Sequence, residues 1–531
     1  MLSTTAEKGC VMRDKFVEKW RVVLGRDRVR EGNTVDFYVE GAATFKAMLD
    51  AMLTAKRHGH YIYLLGWYLD LDVSLTNDGR NTAREAFDAA LKRHVQIRVM
   101  LWENPLGPQN VAESDWINEQ GMSFDRWGRS RRLQDRDSAA ILDKLTVPLP
   151  ALMSDEARQA ILTAAESTTW PRINIAIGVG SHHQKVLLVR GEEGLIAFCG
   201  GVDINEDRTK QVDVQPGSPM HDVHCRIRGP AAHDLVNLFL TRWESHPRHL
   251  EIDRLRQPVA LSDRTWRGRP NKGEMYVRIA RNDNFVGDLS TGDACYREHS
   301  IEELLLAAIE ASTGFIYIED QYLAHLGAAA AIRKRLPHLH HVTIVVPHPT
   351  IETVFPWRRL EFLRILGYNN DTKGRIRVFY RYNKQGPRFG PYSYIHSKTW
   401  IFDDEVAVIG SANCNRRGWG FDSEVVAAMF DVPSGLQPTS FAQKLRVALW
   451  TKHLGVEESH VWSGDTPEVM KLWQELPPEA SVLPYFVDPQ FDYRATPFWV
   501  AFDPQTEWPW TLVDPDGARM TKCSKRPWVA Q

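Results

Sequence analysis

The sequence predicts a mixed α/β fold built from two similar lobes that are related by a pseudo-twofold axis. Three observations lead to this prediction. The chain has 531 residues, which is too long for one ordinary hydrophobic core. Helical and β-type apolar patterns alternate along it, as is typical of a mixed sheet flanked by helices. The same order of elements and short motifs then occurs a second time.

Each copy opens with an amphipathic helix that leads into a short apolar strand. The first helix carries Phe45, Met48 and Met52 on one face, and the second begins at Ile301. The predicted strands of the two copies, in matching order, are Tyr61–Leu65 and Phe315–Ile318, Val95–Met100 and Val342–Val346, and two that begin at Arg172 and Arg375.

The repeat divides the chain into four predicted parts. Residues 1–250 form an N-terminal lobe, and residues 285–460 form a C-terminal lobe. A polar connector rich in proline and glycine covers residues 251–284. Residues 461–531 have many prolines and aromatics and are predicted to be an irregular extension.

Composition narrows the functional classes. With 65 basic and 67 acidic residues the net charge is −2, whereas a dedicated nucleic-acid binder usually has a basic excess. None of the 6 cysteines forms a C-x-x-C pair, so we expect neither a disulfide framework nor a cysteine-ligated zinc site. The N-terminus lacks the apolar segment of a Sec signal peptide, and no apolar run is long enough to span a membrane.

The strongest match between the copies is a His-x-Lys motif, which only two of the 19 histidines form. The motifs are His183 with Lys185 and His396 with Lys398. Because alternate side chains of a strand share a face, each histidine and its lysine should project into one cleft. Imidazole is a nucleophile or proton carrier near neutral pH, and an ammonium neutralises a phosphate oxygen.

A glycine-containing turn follows each motif. The turns are Gly200–Asn205 (GGVDIN) and Gly410–Asn415 (GSANCN). Their small residues allow close backbone approach, and the amides of Asn205, Asn413 and Asn415 are the predicted partners of phosphate oxygens. We interpret the neighbouring His182 as a support of the pocket, because its spacing to Lys185 differs from that of the motif.

These motifs resemble the HKD signature of the phospholipase D superfamily. The second copy matches it fully, with His396, Lys398 and Asp403 followed by the turn at residues 410–415. The first copy has Arg190 where the signature has aspartate, and its following hairpin is longer by three residues. Segments 221–230, 316–323 and 422–424 also resemble the family, so the resemblance covers roughly residues 35–455.

The resemblance implies a metal-independent mechanism that needs no cofactor. Asp222 and Glu424 would be the carboxylates that hydrogen-bond the two histidines. One histidine attacks phosphorus and the other protonates the leaving alcohol and then activates water. The family indicates His183 as the nucleophile and His396 as the acid/base, while the pseudo-symmetry leaves that order open. The family also implies that the aspartate replaced by Arg190 supports the fold.

The expected substrate is a glycerophospholipid such as phosphatidylcholine or phosphatidylethanolamine, cleaved to phosphatidate and a free head group, with transphosphatidylation as a variant. Aromatic residues in predicted loops could line an acyl or interfacial surface; they are Trp67, Tyr68, Trp102, Trp357, Tyr392, Tyr394 and Trp419. The main alternative is a nuclease on the same fold. Two further alternatives are a phospholipid-synthesising transferase and an inactive scaffold.

The sequence also leads to expectations about partners and location. We expect a soluble monomer that carries both half-sites, meets phospholipid at a membrane surface and does not bind nucleic acid. It would be cytoplasmic or exported by a route other than Sec. Similar phospholipases without signal peptides occur among bacterial secretion-system effectors, and a housekeeping lipid enzyme is the other alternative.

Overall fold

The structure is a computed structural model. It describes residues 14–76, 78–103, 109–120, 137–143, 145–147, 178–209, 219–266, 273–286, 294–349, 351, 356–368, 374–382, 392–432, 439–485, 514 and 521–522. The helices and strands below are those of the described residues.

The first half of the chain forms one mixed sheet and a small hairpin. The strands of this half are β1 (Arg30–Val39), β2 (Tyr61–Gly66), β3 (Gln96–Trp102), β4 (Ser138–Asp143), β5 (Leu145–Val147), β6 (Gly178–Gly180), β7 (Val186–Gly191), β8 (Gly194–Gly200) and β9 (Val223–Arg228). The pairings give the order β4-β3-β2-β7-β8-β9-β1, in which β2, β3 and β4 are parallel. The hairpin of β5 and β6 is separate.

The second half forms a sheet of the same kind. Its strands are β10 (Met275–Val286), β11 (Ala294–His299), β12 (Phe315–Glu319), β13 (His341–Val346), β14 (Ile376–Arg381), β15 (Thr399–Phe402), β16 (Val406–Gly410), β17 (Glu424–Phe430), β18 (Val482–Pro484) and β19 (Thr521–Lys522). The order β14-β13-β12-β15-β16-β17-β10 repeats that of the first sheet, again with three parallel strands. This repetition confirms the predicted duplicated α/β fold.

The strand beside β3 differs from the one that the sequence pattern indicated. The predicted third strand at Arg172 lies outside the described residues, and β4 occupies the position that matches β14. At the C-terminus, β18 pairs with β14, and β19 pairs with β11. Thus part of the predicted irregular extension adds strands to the second sheet. The predicted domain boundaries stay predictions.

Helices cover both faces of each sheet. Residues 14–23 are helical. The other α-helices are α1 (Gly41–Met52), α2 (Ala83–Leu91), α3 (Val111–Gln120), α4 (Pro230–Ser245), α5 (Arg248–Leu255), α6 (Ile301–Ala311), α7 (Leu326–Arg335), α8 (Pro356–Leu366), α9 (Arg416–Gly420), α10 (Phe441–Leu454) and α11 (Pro467–Gln474). Among the described residues, no helix is both long and apolar enough to cross a membrane.

One hydrophobic core joins the two lobes. It contains residues of α4 and α10 together with one face of each sheet, including Leu65 and Tyr317. The opposite face of the first sheet packs against α1 and α2, and that of the second packs against α6, α7 and α8. Burial on both faces explains why the central strands are almost continuously apolar. The lobes therefore form one packed unit around a shared interior.

The strand directions place both motifs at the interface between the lobes. The histidines lie three residues before β7 and β15, which run antiparallel to β2 and β12. Two short bridges join the lobes at this edge: His182 pairs with Ser423, and His221 pairs with Ile395. Each bridge lies next to a motif histidine in the sequence, so the contact between the lobes fixes the backbone of both motifs.

Candidate active site

His183 contacts a carboxylate of the second lobe. Its Nδ1 lies 2.8 Å from Glu424 Oε1 and 3.1 Å from the carbonyl oxygen of Ser411. Its backbone N–H donates to the Ser423 carbonyl at 2.9 Å, which holds the histidine beside the start of β17. The Ser411 hydroxyl donates to the other oxygen of Glu424. These contacts leave Nε2 as the imidazole nitrogen available for chemistry.

His396 has the reciprocal arrangement. Its Nδ1 lies 2.7 Å from Asp222 Oδ2, and its backbone N–H donates to the His221 carbonyl at 2.7 Å. Asp222 belongs to the first lobe and is fully buried. The structure therefore brings together both predicted histidine–carboxylate pairs, and each pair takes one member from each lobe.

Burial and nearby cations favour neutral imidazoles. Burial, followed by the charges of Lys185 and Lys398, lowers the pKa of His183 well below its usual value. Burial, followed by the charge of Arg208, does the same to the pKa of His396. Burial also raises the pKa of Glu424 and of Asp222. Without substrate, each pair thus keeps one proton, on Nδ1, and the unprotonated Nε2 can attack phosphorus or take up a proton.

The two lysines of the motifs are buried beside their histidines. Lys185 Nζ lies 3.1 Å from Asp203 Oδ2, so a carboxylate neutralises this ammonium. Lys398 Nζ donates to Gln321 Oε1 at 3.0 Å and lies 3.0 Å from His396 Nδ1. Burial lowers the pKa of Lys398. Sequence reasoning missed Asp203, although it stands in the first turn where Asn413 stands in the second.

The three predicted asparagines line the same cleft as the histidines. Asn415 Nδ2 is a buried donor with no partner among the described residues, while its Oδ1 caps α9 by accepting from Gly418 N–H at 3.0 Å. Asn205 and Asn413 have buried Oδ1 atoms without a described partner. Rotation of either amide would present its NH₂ group instead. Asn415 is therefore the asparagine already oriented to donate to a phosphate oxygen.

The cleft has a volume of about 540 Å³ and an apolar wall beside His183. Trp67 and Trp102 stack with their ring centroids 5.5 Å apart, and Trp67 meets His183 edge-on. Of the other predicted aromatics, Tyr394 lines the cleft and packs near His396, whereas Trp419 is buried. Some of the predicted aromatic residues thus line the cleft, namely Trp67, Trp102 and Tyr394, whereas Trp419 is part of the hydrophobic core.

Arg208 is a second residue that sequence reasoning missed. Its Nη2 lies 3.4 Å from His396 Nε2, and its Nε lies 3.5 Å from Asp222 Oδ2. The guanidinium also pairs with Asp207 at 2.8 Å. Arg208 lies three residues after Asn205. This position just after the first turn is the sequence feature that could have indicated a place in the site. It puts a positive charge at the nitrogen with which His396 would meet a substrate oxygen.

The departure at Arg190 lies away from the cleft. In the second motif, Asp403 accepts hydrogen bonds from the backbone N–H groups of Thr313, Gly314 and Phe315, at the start of β12. In the first motif, Arg190 pairs with Asp263 at 3.2 Å. The aspartate of the signature thus anchors a strand end here, as the resemblance implied.

One group of described residues is close enough to hold a metal ion. His221, Glu319 and His453 are all buried, and their ligand atoms lie within 4.8 Å of one another. These atoms already form hydrogen bonds with each other. The group lies behind Asp222 and is separate from the cleft-lining side chains.

Comparisons with known proteins agree with this geometry. The Phospholipase D family model matches residues 205–346 and 369–491. Phospholipase D alpha 2 of Oryza sativa subsp. japonica is 23% identical over 79% of this chain and 64% of its own length. Phospholipase D gamma 1 of Arabidopsis thaliana is 23% identical over 86% of this chain and 67% of its own length. The chain thus spans about two thirds of the length of these relatives.

The fold also occurs in a solved structure. The phosphatidylserine synthase of Haemophilus influenzae Rd KW20 matches 86% of this chain and 93% of its own, with a TM-score of 0.51 at 14% identity. At that identity the likeness concerns the fold alone. Together with the two HKD-type motifs and the family match, it places the chain in the phospholipase D superfamily.

Proposed function

We propose that the protein is a phosphodiesterase that works through a phosphohistidine, with His183 as nucleophile and His396 as acid/base. The observation that carries the proposal is the pair of histidine–carboxylate contacts, at 2.8 Å and 2.7 Å, whose histidines line one cleft. A carboxylate on Nδ1 fixes the tautomer and increases the basicity of Nε2. Two such histidines provide the nucleophile and the proton carrier that covalent displacement needs.

The reaction has two balanced steps. Before the first step, His396 takes up a proton on Nε2 beside the bound phosphate anion. In that step, the lone pair of His183 Nε2 forms a bond to phosphorus while the bond to the leaving oxygen breaks, and His396 gives that oxygen its Nε2 proton. In the second, His396 removes a proton from water, the hydroxide attacks phosphorus, and the phosphorus–nitrogen bond breaks. An alcohol in place of water gives transphosphatidylation. Lys185, Lys398 and the three asparagines would stabilise the phosphate oxygens in both steps.

The proposed substrate is a glycerophospholipid, cleaved at the head-group side to give phosphatidate. The relatives named above are phospholipases D. The stacked Trp67 and Trp102 beside His183 suit an acyl-glycerol portion, because aromatic side chains provide large apolar contact areas. The net charge of −2 does not favour a polyanionic substrate such as DNA. A monomer suffices, since both half-sites belong to one chain.

The test measures phosphatidate and free head group from phosphatidylcholine–phosphatidylethanolamine vesicles with EDTA present. Wild type is compared with His183→Ala, His396→Ala and a control, His341→Ala. His341 is buried at the start of β13 and hydrogen-bonds Gly464 at 2.9 Å. We expect phosphatidate from wild type and from the control, and none from the two motif variants.

Other outcomes would change the proposal in defined ways. Turnover of DNA or bis-p-nitrophenyl phosphate without lipid turnover, lost in the same two variants, would keep the chemistry and replace the substrate. Activity that survives in both motif variants would refute the mechanism. Denaturing SDS at mildly alkaline pH, which preserves the acid-labile phosphorus–nitrogen bond, stops turnover of ³²P-labelled lipid and identifies the nucleophile, since label should remain on wild type and not on His183→Ala.

A further inference from the structure

A buried charged network lies directly behind Asp222. His221 Nδ1 is 2.9 Å from Glu40 Oε1, and His221 Nε2 is 2.8 Å from Glu319 Oε2. His453 Nε2 lies 2.7 Å from the other oxygen of Glu319. The side chains of His221, Glu319 and His453 have no exposed surface. Both ring nitrogens of His221 therefore face carboxylates.

This arrangement requires protons on both nitrogens of His221. Burial opposes the charge, but Glu319 and Glu40 outweigh burial and raise the pKa of His221. Burial lowers the pKa of His453 to about 4, so His453 is a neutral donor to Glu319. His221 thus has a carboxylate on each ring nitrogen, a geometry that restricts both its ring position and its backbone.

Other charged groups complete the surroundings of His221. Arg381 at the end of β14 and Lys452 on α10 pair with Glu40 at 3.0 Å and 2.9 Å. The Tyr317 hydroxyl donates to Glu319 at 2.7 Å, and the Ser397 hydroxyl donates to the same carboxylate. Glu319 therefore accepts four hydrogen bonds, from His221, His453, Tyr317 and Ser397, which leave its carboxylate little freedom to move.

The backbone of His221 links this network to the acid/base histidine. Its carbonyl accepts from the backbone N–H groups of His396 at 2.7 Å and Ser397 at 3.1 Å, and its own N–H donates to the Tyr394 carbonyl at 2.8 Å. Asp222 follows it in the chain and holds His396 Nδ1. The position of His221 thus sets both the backbone of His396 and the carboxylate that orients its ring.

The other half-site is built differently. Val186 and Thr399 are equivalent, because each lies three residues after its motif histidine. Thr399 pairs with Glu319, whereas Val186 pairs with Leu65, so in the first half an apolar side chain stands at the position of Glu319. The residue that precedes the carboxylate also differs: it is Ser423 before Glu424, and His221 before Asp222. The Ser423 hydroxyl contacts His182 Nδ1 at 2.9 Å. The clamp of two carboxylates around a histidine accordingly belongs to the His396 side.

We propose that His221, clamped by Glu40 and Glu319, is a positioning residue for His396 in leaving-group protonation. The inference rests on the proposed function, in which His396 is the acid. Attack by His183 does not need this clamp, whereas proton transfer to an alkoxide depends on the placement of His396 to within a fraction of an ångström. Loss of the clamp should therefore matter most for poor leaving groups.

The test compares two soluble phosphodiesters that share one phosphate arm, one with a p-nitrophenolate and one with an alkoxide leaving group. The variants are His221→Gln and Glu319→Gln, with His182→Gln as a matched control from the other half-site. We expect His221→Gln and Glu319→Gln to slow release of the alkoxide by at least about tenfold more than release of p-nitrophenolate. In His182→Gln, both releases should change by the same factor.

Ser397→Ala keeps the inference testable if the two larger changes prevent folding, as judged by circular dichroism and thermal unfolding. It removes one hydrogen-bond donor to Glu319 and should also slow release of the alkoxide more than release of p-nitrophenolate, by a smaller factor. Equal slowing of both substrates in folded variants would overturn the inference. So would a stoichiometric divalent metal, found by mass spectrometry in wild type and lost in His221→Gln. If wild type cleaves neither substrate, the proposed function fails instead.

Discussion

Lys185 Nζ lies 3.1 Å from Asp203 Oδ2, and both side chains are 2% exposed. The second motif has Asn413 at the position of Asp203, and its Lys398 donates to the neutral Gln321 instead. The lysine of the first motif is therefore paired with a carboxylate, while the lysine of the second motif has an amide at the corresponding position. The two halves should contribute unequally to binding of a phosphate anion.

Asp203→Asn should tighten binding of phosphate-like inhibitors. The amide still accepts from the backbone N–H groups of Trp67 and Tyr68, but it no longer neutralises Lys185. We expect competitive inhibition by inorganic phosphate or vanadate to strengthen by about tenfold, the equivalent of 1.4 kcal/mol. Asp50→Asn, an exposed residue of α1, is the control for net charge. Equal inhibition of all three proteins would contradict the prediction.

Glu424→Gln and Asp222→Asn should each remove most of the activity without unfolding the protein. An amide cannot favour the Nδ1–H tautomer as a carboxylate does, so in Glu424→Gln the Nε2 of His183 would be protonated and unable to attack. In Asp222→Asn, His396 would lose the carboxylate that stabilises its imidazolium. We expect kcat to fall by about 10³–10⁴-fold, as when a comparable carboxylate partner of a catalytic histidine is replaced. Steady-state kinetics measure the loss, and circular dichroism checks the fold. A loss of less than tenfold would show that the carboxylates do not select the tautomer.

Arg208→Gln should raise the pKa of His396. A guanidinium 3.4 Å from Nε2 disfavours the imidazolium, so its removal favours protonation, while burial continues to lower the pKa. Titration by ¹³C NMR of labelled histidine, with the signal assigned from His396→Ala, measures the change. Arg84→Gln, which breaks an exposed pair with Asp72, is the control and should leave the signal in place.

Asp403→Ala should destabilise the fold without altering the cleft. Three backbone N–H groups at the start of β12 would lose their acceptor, and Asp403 has a φ of 58°, which alanine adopts less readily. We expect a loss of about 2–3 kcal/mol in urea unfolding. Arg190→Ala should cost under about 1 kcal/mol, because its pair is partly exposed. Activity per folded molecule should stay at the wild-type level in both.

Sequence patterns predicted the duplicated α/β fold and indicated the two histidines and three asparagines that line the cleft, whereas Asp222 and Glu424 were indicated only by the family resemblance. Short, almost continuously apolar runs identify strands such as β2 and β12, and the repeated His-x-Lys motifs fix their relation to each other. The residues of each motif can be identified from the sequence because residues close together in an extended segment stay close together in the fold.

Contacts between distant segments were harder to predict. Ser138–Asp143 joins the sheet only because β3 is available beside it, and nothing local distinguishes it from other short apolar runs. Arg208 and Asp203 have ordinary loop sequences, and their roles arise from side chains 188 and 18 residues away, namely His396 and Lys185. The charged network around His221 joins residues from 40 to 453, a range over which spacing carries no signal.

The crossed histidine–carboxylate pairs make catalysis a property of assembly. A polypeptide that contained only the first lobe would have His183 and Asp222, each separated from its partner. If the two lobes are produced as separate polypeptides, each should be inactive alone. A mixture of the two should hydrolyse substrate at a rate proportional to the amount of complex formed. The hydrolysis rate would then report directly on association of the lobes. A substitution that weakens the bridge between His182 and Ser423 should raise the dissociation constant of the two lobes more than it lowers kcat of the complex.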